Sequence, residues 1–483
     1  MNNMAVLENI EPKEVFHFFE EINQIPRGTY NTKAVSDYCV NFAKERGLAV
    51  IQDEWNNVII KKPGTAGYEN SEPVILQGHL DMVCEKTANS DHDFMKDPIE
   101  MYVEDGYVKA KETTLGADNG IAVAMALAVL DSKEIPHPPL EVVFTIDEEV
   151  GMTGALNIEL SPLTGTMLIN LDSEEEDVLT AGCAGGFRFI YRLPLEKQSV
   201  RGTKAEIEIC GLKGGHSGVE IHKQRGNANK LAGRLLYHLS RETNIFLAEI
   251  NGGSKDNVIT SANKSVIIAE DADIVKEAAG KLLDAWKQEF GEDEPGLDIR
   301  IRVLETGEFE AMTDATMKKV LQFILNCPNG VDEYSRHLAG LVETSDNLGV
   351  IKTDSDQMTF MLLTRSGFAS KLAEFKERFM CFAESLGGTY EFDAEYPAWT
   401  FKSESRIREI TLDAFEKVFG KRPEVTEIHA GLECGLLSGK KPELDCISFG
   451  PNMIDVHSYN ERLEIASAAR IWEAVKEILK RCK

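Results

Sequence analysis

Read as a pattern of apolar and polar positions, the first third of the chain alternates short β-rich runs with helical periodicity, the mark of an α/β domain with a largely parallel or mixed sheet. PVILQGH (73–79), PLEVVFTI (139–146) and TMLINL (166–171) are predominantly apolar segments of strand length and predict buried strands. Between the first two, NGIAVAMALAVLDS from Asn119 is small and apolar on every face, which predicts a helix buried all round. Near the C-terminus another strand pattern, DCISFGPN from Asp445, precedes a helical one, LEIASAARIWEAVKEILKR from Leu463. The α/β domain is therefore expected to resume there.

The stretch from about Phe187 to Ala398 has a different texture. RFIYRLPL, AEIEICGL, KSVIIAED, LDIRIRVLE, DQMTFMLLTRS and GTYEFDAEYPAW alternate as antiparallel strands with one exposed face do, and NKLAGRLLYHLSRE and SKLAEFKERFMCFAESLG read as helices between them. This predicts an inserted α+β domain, with a faint suggestion of two related β-α-β halves. The expected division is residues 1–186, an insertion over 187–398, and a return over 399–483. Two domains also suit a length of 483 residues, more than one core usually organises.

Charge narrows the possible partners. A formal net charge of −28 opposes phosphate backbones and anionic lipid, so neither nucleic acid nor a membrane surface is expected. No apolar run reaches the roughly 18 residues of a membrane span, and the N-terminus does not read as a signal peptide, so the cytoplasm is the expected compartment. The nine cysteines are scattered and never form a C-x-x-C pair, which argues against a disulfide framework or a thiolate zinc site, so most are expected to be reduced and structural.

Chemistry gathers where strands end. GHLD (78–81), DEEVG (147–151) and LDSEEE (from Leu171) follow predicted strands, GADNG (116–120) opens the buried helix, and DVHSYNE (455–461) follows the late strand. Ligand sites in open α/β sheets form outside the carboxyl ends of the strands, so these five segments can converge. Alone, each is more simply a hydrogen-bonded histidine or a solvated acidic pair. Together they offer two imidazoles and several carboxylates, the donor set that borderline divalent ions such as zinc, cobalt or manganese prefer.

In order and spacing, His79-x-Asp81, Asp118 before Asn119-Gly120, Glu148-Glu149-x-Gly151, Asp172 and His457 resemble the metal-dependent exopeptidases that include carboxypeptidase G, aminoacylase and bacterial dipeptidases. GHLDMVCEK, GLKGGHSG, HAGLECG and SFGPNMIDVHSYNE are most similar to the aminoacyl-histidine (Xaa-His) dipeptidase branch. The resemblance implies a three-layer α/β catalytic domain of the zinc-exopeptidase kind with an inserted α+β lid. It implies two divalent metal ions, zinc first with cobalt or manganese as alternatives. Asp118 would bridge them, His79 and Asp172 completing one site and Glu149 and His457 the other. Glu148 is implied as general base, Asp81 as the residue that orients His79, and the bond from Asp118 to Asn119 as cis. On the lid, His216 would hold the scissile carbonyl and Arg365 the substrate carboxylate, while Asn257, Gly431 and Glu433 line the pocket. For His216 a tight glycine turn with a solvent-facing histidine is the competing reading, and for Arg365 a surface arginine.

The function so implied is hydrolysis of dipeptides, preferentially Xaa-His, by a homodimer. Broad dipeptidase or N-acyl amino acid hydrolase activity on the same site is the alternative, followed by a noncatalytic metal- or peptide-binding protein. No G-x-S-x-G elbow, phosphate loop or H-E-x-x-H helix is present. His17, His92, His137, His222, His238 and His337 lack supporting context.

Overall fold

The computed structural model describes residues 6–336 and 338–483, so His337 lies outside the described residues. The chain divides into two compact units, one of residues 1–183, 399–427 and 432–483, the other of 184–398 and 428–431. The short segment 428–431 thus belongs with the inserted stretch and not with the returning one. Among the described residues, no helix is long and apolar enough to cross a membrane.

The first unit is built on an eight-stranded sheet in the order Ala49–Gln52, Val58–Lys62, Leu140–Thr145, Val74–His79, Met167–Asn170, Asp445–Ser448, Val178–Cys183, Glu424–Ile428. Its four central strands, Leu140–Thr145 to Asp445–Ser448, run parallel. Every residue of Val74–His79, Leu140–Thr145 and Met167–Asn170 is buried, which is why these segments lack polar alternation. Helix Ala117–Asp131 buries all its residues except Asp118 and Asp131. It packs against Val74–His79 and against helix Lys13–Asn23. Helix Ile465–Arg481 begins slightly later than its pattern suggests, because Arg462–Glu464 is a strand. That strand joins a small sheet in the order Met453–Ile454, Arg462–Glu464, Tyr107–Ala110, Met101–Glu104, so the loop 455–461 is pinned at both ends.

The second unit holds a nine-stranded antiparallel sheet, eight of its strands in the order Asp298–Met312, Lys197–Cys210, Asn263–Ala269, Ile245–Gly252, Val342–Thr353, Gln357–Ser366, Gly185–Pro194, Thr389–Tyr396, with the ninth, Gly330–Tyr334, pairing with Val342–Thr353 off this path. The eight strands of that order form two four-stranded halves. Counted along the chain within each half, both have the β-α-β-β-α-β sequence and the spatial order 4-1-3-2 from their outer edges. Among the described residues, strand pairing between the halves is limited to one residue pair, Gly252 with Ile351. A shared apolar core lies under both, with Phe189, Tyr191, Phe323, Phe360 and Phe379 in ring contact at its centre.

Candidate metal centre

Strand polarity puts the chemistry in one place. The carboxyl ends of the parallel strands lead directly into His79, into the turn 147–149 and into Asp172, while the pinned loop 455–461 carries His457. Backbone conformation at these turns is unusual: Asp147 and His457 have φ of 50° and 60°, left-handed values that re-aim the side chains which follow or sit there. Asp118 and Asn119 depart from helical geometry inside helix Ala117–Asp131, and the bond between them is cis. Asn119 is fully buried, with its Oδ1 accepting the N–H of His79 at 3.2 Å and its Nδ2 donating to the carbonyl of Leu171 at 2.9 Å. One amide thereby ties together three segments that carry candidate ligands. Gly78 is required by this arrangement, since a Cβ there would fall 2.5 Å from Asn119 Oδ1.

Asp118 sits between two imidazoles. Its Oδ1 is 3.1 Å from His79 Nε2 and its Oδ2 is 3.0 Å from His457 Nε2. Each histidine meets a further carboxylate: His79 Nε2 is 3.5 Å from Asp172, and His457 Nε2 is 3.0 Å from Glu149. Donor atoms of His79, Asp118 and Asp172 lie within 4.8 Å of one another, as do those of Asp118, Glu149 and His457, and those of His79, Glu148 and Glu149. All six residues lie in the first unit. His79 is buried, whereas the His457 side chain is half exposed.

Electrostatics describes a site short of cations. Burial, with the charges of Asp172, Glu433 and Glu149 and an opposing contribution from His79, pushes the Glu148 carboxyl well above its usual range. Burial likewise raises Glu149 and Asp172. Burial opposes the charged form of His79, yet Asp172, Asp118 and Asp81 hold its pKa well above the usual imidazole value. Asp118 is lowered despite its burial, because His457 and His79 hydrogen bond to it. Glu149 Oε1 is buried with no hydrogen-bond partner among the described residues. A dense set of buried nitrogens and carboxylate oxygens with an unsatisfied oxygen fits divalent ions, and the two overlapping clusters that share Asp118 fit a dinuclear site.

Asp81 is completely buried behind His79, its Oδ1 3.3 Å from Nδ1 of that ring. The same carboxylate accepts the N–H of Glu148 at 3.0 Å and the hydroxyl of Thr29 at 2.9 Å. One acid therefore orients a candidate ligand and the turn with the candidate base.

The remaining sequence candidates divide between the units. His216, Asn257, Arg365 and Gly431 belong to the second and Glu433 to the first. His216 and Gly215 pair with Val258 and Ile259, and the carbonyl of Asn257 accepts the N–H of Ser217 at 2.9 Å. The position of a Cβ on Gly218 would be 2.9 Å from His216 Cε1, 3.2 Å from Arg365 Nε and 2.5 Å from the His429 carbonyl, so these residues converge around that glycine. Arg365 is buried, donates to the Tyr396 hydroxyl at 2.6 Å, and has an Nε without a hydrogen-bond partner among the described residues. Glu433 is fully buried at the sheet, its Oε2 accepting from Thr145 at 2.7 Å and from Gln77 at 2.5 Å. Arg27, Thr29 and Glu461, for which the sequence suggests no role, also touch the segments that carry the candidate ligands. Glu461 closes the DVHSYNE motif, but nothing in the sequence marks it as buried.

The family model described as "Peptidase family M20/M25/M40" matches residues 75–481. The chain belongs to that family. Among curated proteins, this M20 peptidase is 37% identical over 481 residues to the cytosol non-specific dipeptidase of Escherichia coli (strain K12), covering 99% of each chain. Among solved structures, it matches aminoacylhistidine dipeptidase from Vibrio alginolyticus with a TM-score of 0.90 and 38% identity over 98% of each chain. Aminopeptidase PepT from Bacillus cereus, at 17% identity and a TM-score of 0.54 over 98% of this chain and 99% of its own, shares the M20 fold.

Proposed function

We propose that this chain is a two-metal dipeptidase that takes Xaa-His dipeptides among its substrates. It is an M20 peptidase that hydrolyses dipeptides in a metal-dependent way. The observation that carries this reading is the Asp118 carboxylate facing two imidazoles, each backed by a second carboxylate. Its near full-length similarity to two proteins named as dipeptidases supports the substrate class.

In this reading His79, Asp118 and Asp172 hold one divalent ion and Asp118, Glu149 and His457 the other, zinc first with cobalt or manganese as alternatives. Bound there, the ions supply Lewis acidity, making a water more acidic and stabilising negative charge on the scissile carbonyl oxygen. Glu148 takes the proton of the attacking water and passes it to the leaving amine. Asp81 holds His79 in the tautomer that presents Nε2 to the site. His216 Nδ1 accepts the N–H groups of Gly218 and Val219, both at 3.1 Å, which leaves the ring proton on Nε2 as a donor for the substrate carbonyl. Arg365 supplies a guanidinium for the terminal carboxylate. Asn257 and Gly431 line the pocket, and we assign Glu433 to supporting the strand ends beneath the site, since its carboxylate is buried there. We further infer a homodimer formed through the second unit, and a cytoplasmic enzyme, the latter in keeping with nine free cysteines.

Metal-free protein reconstituted with zinc, manganese or cobalt and assayed on Ala-Xaa dipeptides, β-alanyl-histidine, N-acetyl amino acids and tripeptides tests this. Dipeptides should give the highest kcat/KM, with Ala-His at or near the top. Fastest cleavage of N-acetyl amino acids would overturn it in favour of an acylase. Equal rates for Ala-His and Ala-Leu would leave a dipeptidase without histidine preference, as the name of the Escherichia coli relative suggests for that protein. A monomer by light scattering at micromolar concentration would remove the dimer.

A further inference from the structure

The segment Leu115–Asp118, which ends in the carboxylate between the two histidines, is held on both sides by buried charges. Glu461, 3% exposed, accepts four backbone N–H groups, those of Leu115 at 2.7 Å and Gly116 at 3.0 Å on Oε2, and those of Ala117 at 2.7 Å and Asp118 at 3.2 Å on Oε1. Arg27, 2% exposed, takes the carbonyl side: Nη2 donates to the carbonyl of Gly116 and to Asn23 Oδ1, and Nη1 to the carbonyls of Leu80 and Asp81, both at 3.1 Å. Gly116, at φ 70°, and Gly120 make room for it, since a Cβ on either would lie 2.5 or 2.6 Å from Nη2. Arg27 therefore ties the chain just after His79 to the chain just before Asp118.

The next residues extend the contact. The Thr29 hydroxyl donates to Asp81 Oδ2, and the Tyr30 N–H donates at 2.7 Å to Asp147 Oδ1, at the start of the turn that carries Glu148 and Glu149. One loop from Arg27 to Tyr30 thus touches three ligand-bearing segments. It lies ahead of residue 75, where the family match begins.

We propose that Arg27 and Glu461 are positioning residues, a buried pair that fixes the Leu115–Asp118 backbone against the end of strand Val74–His79 and so sets the spacing of Asp118 and His79 for metal binding. This rests on the reading of those two residues as ligands. Partners that orient ligands without touching the metal commonly change affinity by about 10–100-fold. A planar fork bonded to carbonyls of two segments is a geometry an ammonium does not reproduce.

Metal-free Arg27→Gln, Arg27→Lys, Glu461→Gln and Asp118→Asn, with the unmodified enzyme, are titrated with Co²⁺. Visible absorption, stoichiometry, affinity by chelator competition and melting temperature are recorded. Glu461→Gln and Arg27→Gln should bind Co²⁺ about 10–100-fold more weakly with an altered spectrum, and Arg27→Lys should recover only part of the loss. Because both residues hold one segment, Arg27→Gln/Glu461→Gln should lose less than the product of the single effects. A lower melting temperature with unchanged Co²⁺ affinity and spectrum would show a merely structural role and overturn the proposal. If Arg27→Gln does not fold, Arg27→Lys and Glu461→Gln decide by the same criteria. Two ions held by Asp118→Asn at unchanged affinity would instead overturn the ligand reading. Loss of ions in Asp118→Asn alone would overturn only the positioning role.

Discussion

A carboxylate whose two oxygens face different histidines concentrates the site's dependence on one residue. Asp118→Ala is expected to impair both metal positions together, whereas His457→Ala, which removes a half-exposed side chain from one end, should chiefly empty one. Metal content per chain after gel filtration reads this out, and two ions retained in Asp118→Ala would contradict a shared role. Glu148→Gln should keep its metals and lose roughly two to four orders of magnitude in kcat, the usual worth of a positioned general base. Full occupancy with undiminished turnover would remove Glu148 from that position. These residues were legible in the sequence because each lies within a few residues of a strand end or a helix start, inside a short acidic or histidine-bearing motif. Arg27 and Glu461 were not, since their effect comes from burial and from bonds to a backbone segment distant in sequence, which no local spacing encodes.

Elements bring the site together only if strand Val74–His79 and helix Ala117–Asp131 keep their close approach, and Gly78 is where that approach is tightest. Gly78→Ala would place a methyl 2.5 Å from Asn119 Oδ1 and 3.0 Å from the Ala122 Cβ, so the helix must shift. Overpacking of this kind costs about 1–3 kcal/mol. The same shift should lower metal occupancy, so denaturant midpoint and metal content should fall together; a stable, fully loaded variant would show that the contact is slack. The buried parallel strands and the all-apolar helix were readable because burial on every side removes polar alternation. The central strand Val342–Thr353 of the second unit was not. It buries Thr344, Ser345, Asp346 and Asn347, polar residues that look like a loop in sequence and are tolerated only through hydrogen bonds such as those from Asn347 Nδ2 to the carbonyls of Asp256 and Val258. Helices Ala272–Phe290 and Asp314–Asn326 also went unread, although both turn apolar faces inward.

For the molecule as a whole, acid should weaken the second unit through His429. Burial, with the charge of Arg365, holds this imidazole down at about 3, and its Nε2 is 2.7 Å from the Ser345 hydroxyl. The unfolded chain protonates the ring near pH 6.5, so between about 3 and 6.5 the unfolded state binds more protons. Stability from this residue is therefore complete above that window and is lost as pH falls through it, by up to about 1.4 kcal/mol per pH unit. Urea midpoints at pH 7.5 and 5 should drop less for His429→Gln than for the unmodified protein, and parallel slopes would remove His429 as the cause. The second unit's sheet has another property, which follows from its two halves meeting at one residue pair. Across that line side chains replace the backbone ladder: the Ile250 N–H donates to Thr353 Oγ1 at 3.0 Å, and the Thr353 N–H to Asn251 Oδ1 at 2.8 Å. The sheet thus has a fault line, along which continuity depends on a few hydroxyls and amides and can be edited without disturbing either flank. In Thr353→Val, amide exchange should speed up at Ile250 while strands Lys197–Cys210 and Gln357–Ser366 keep their protection, and a uniform change across both flanks would mean that the two halves open as one.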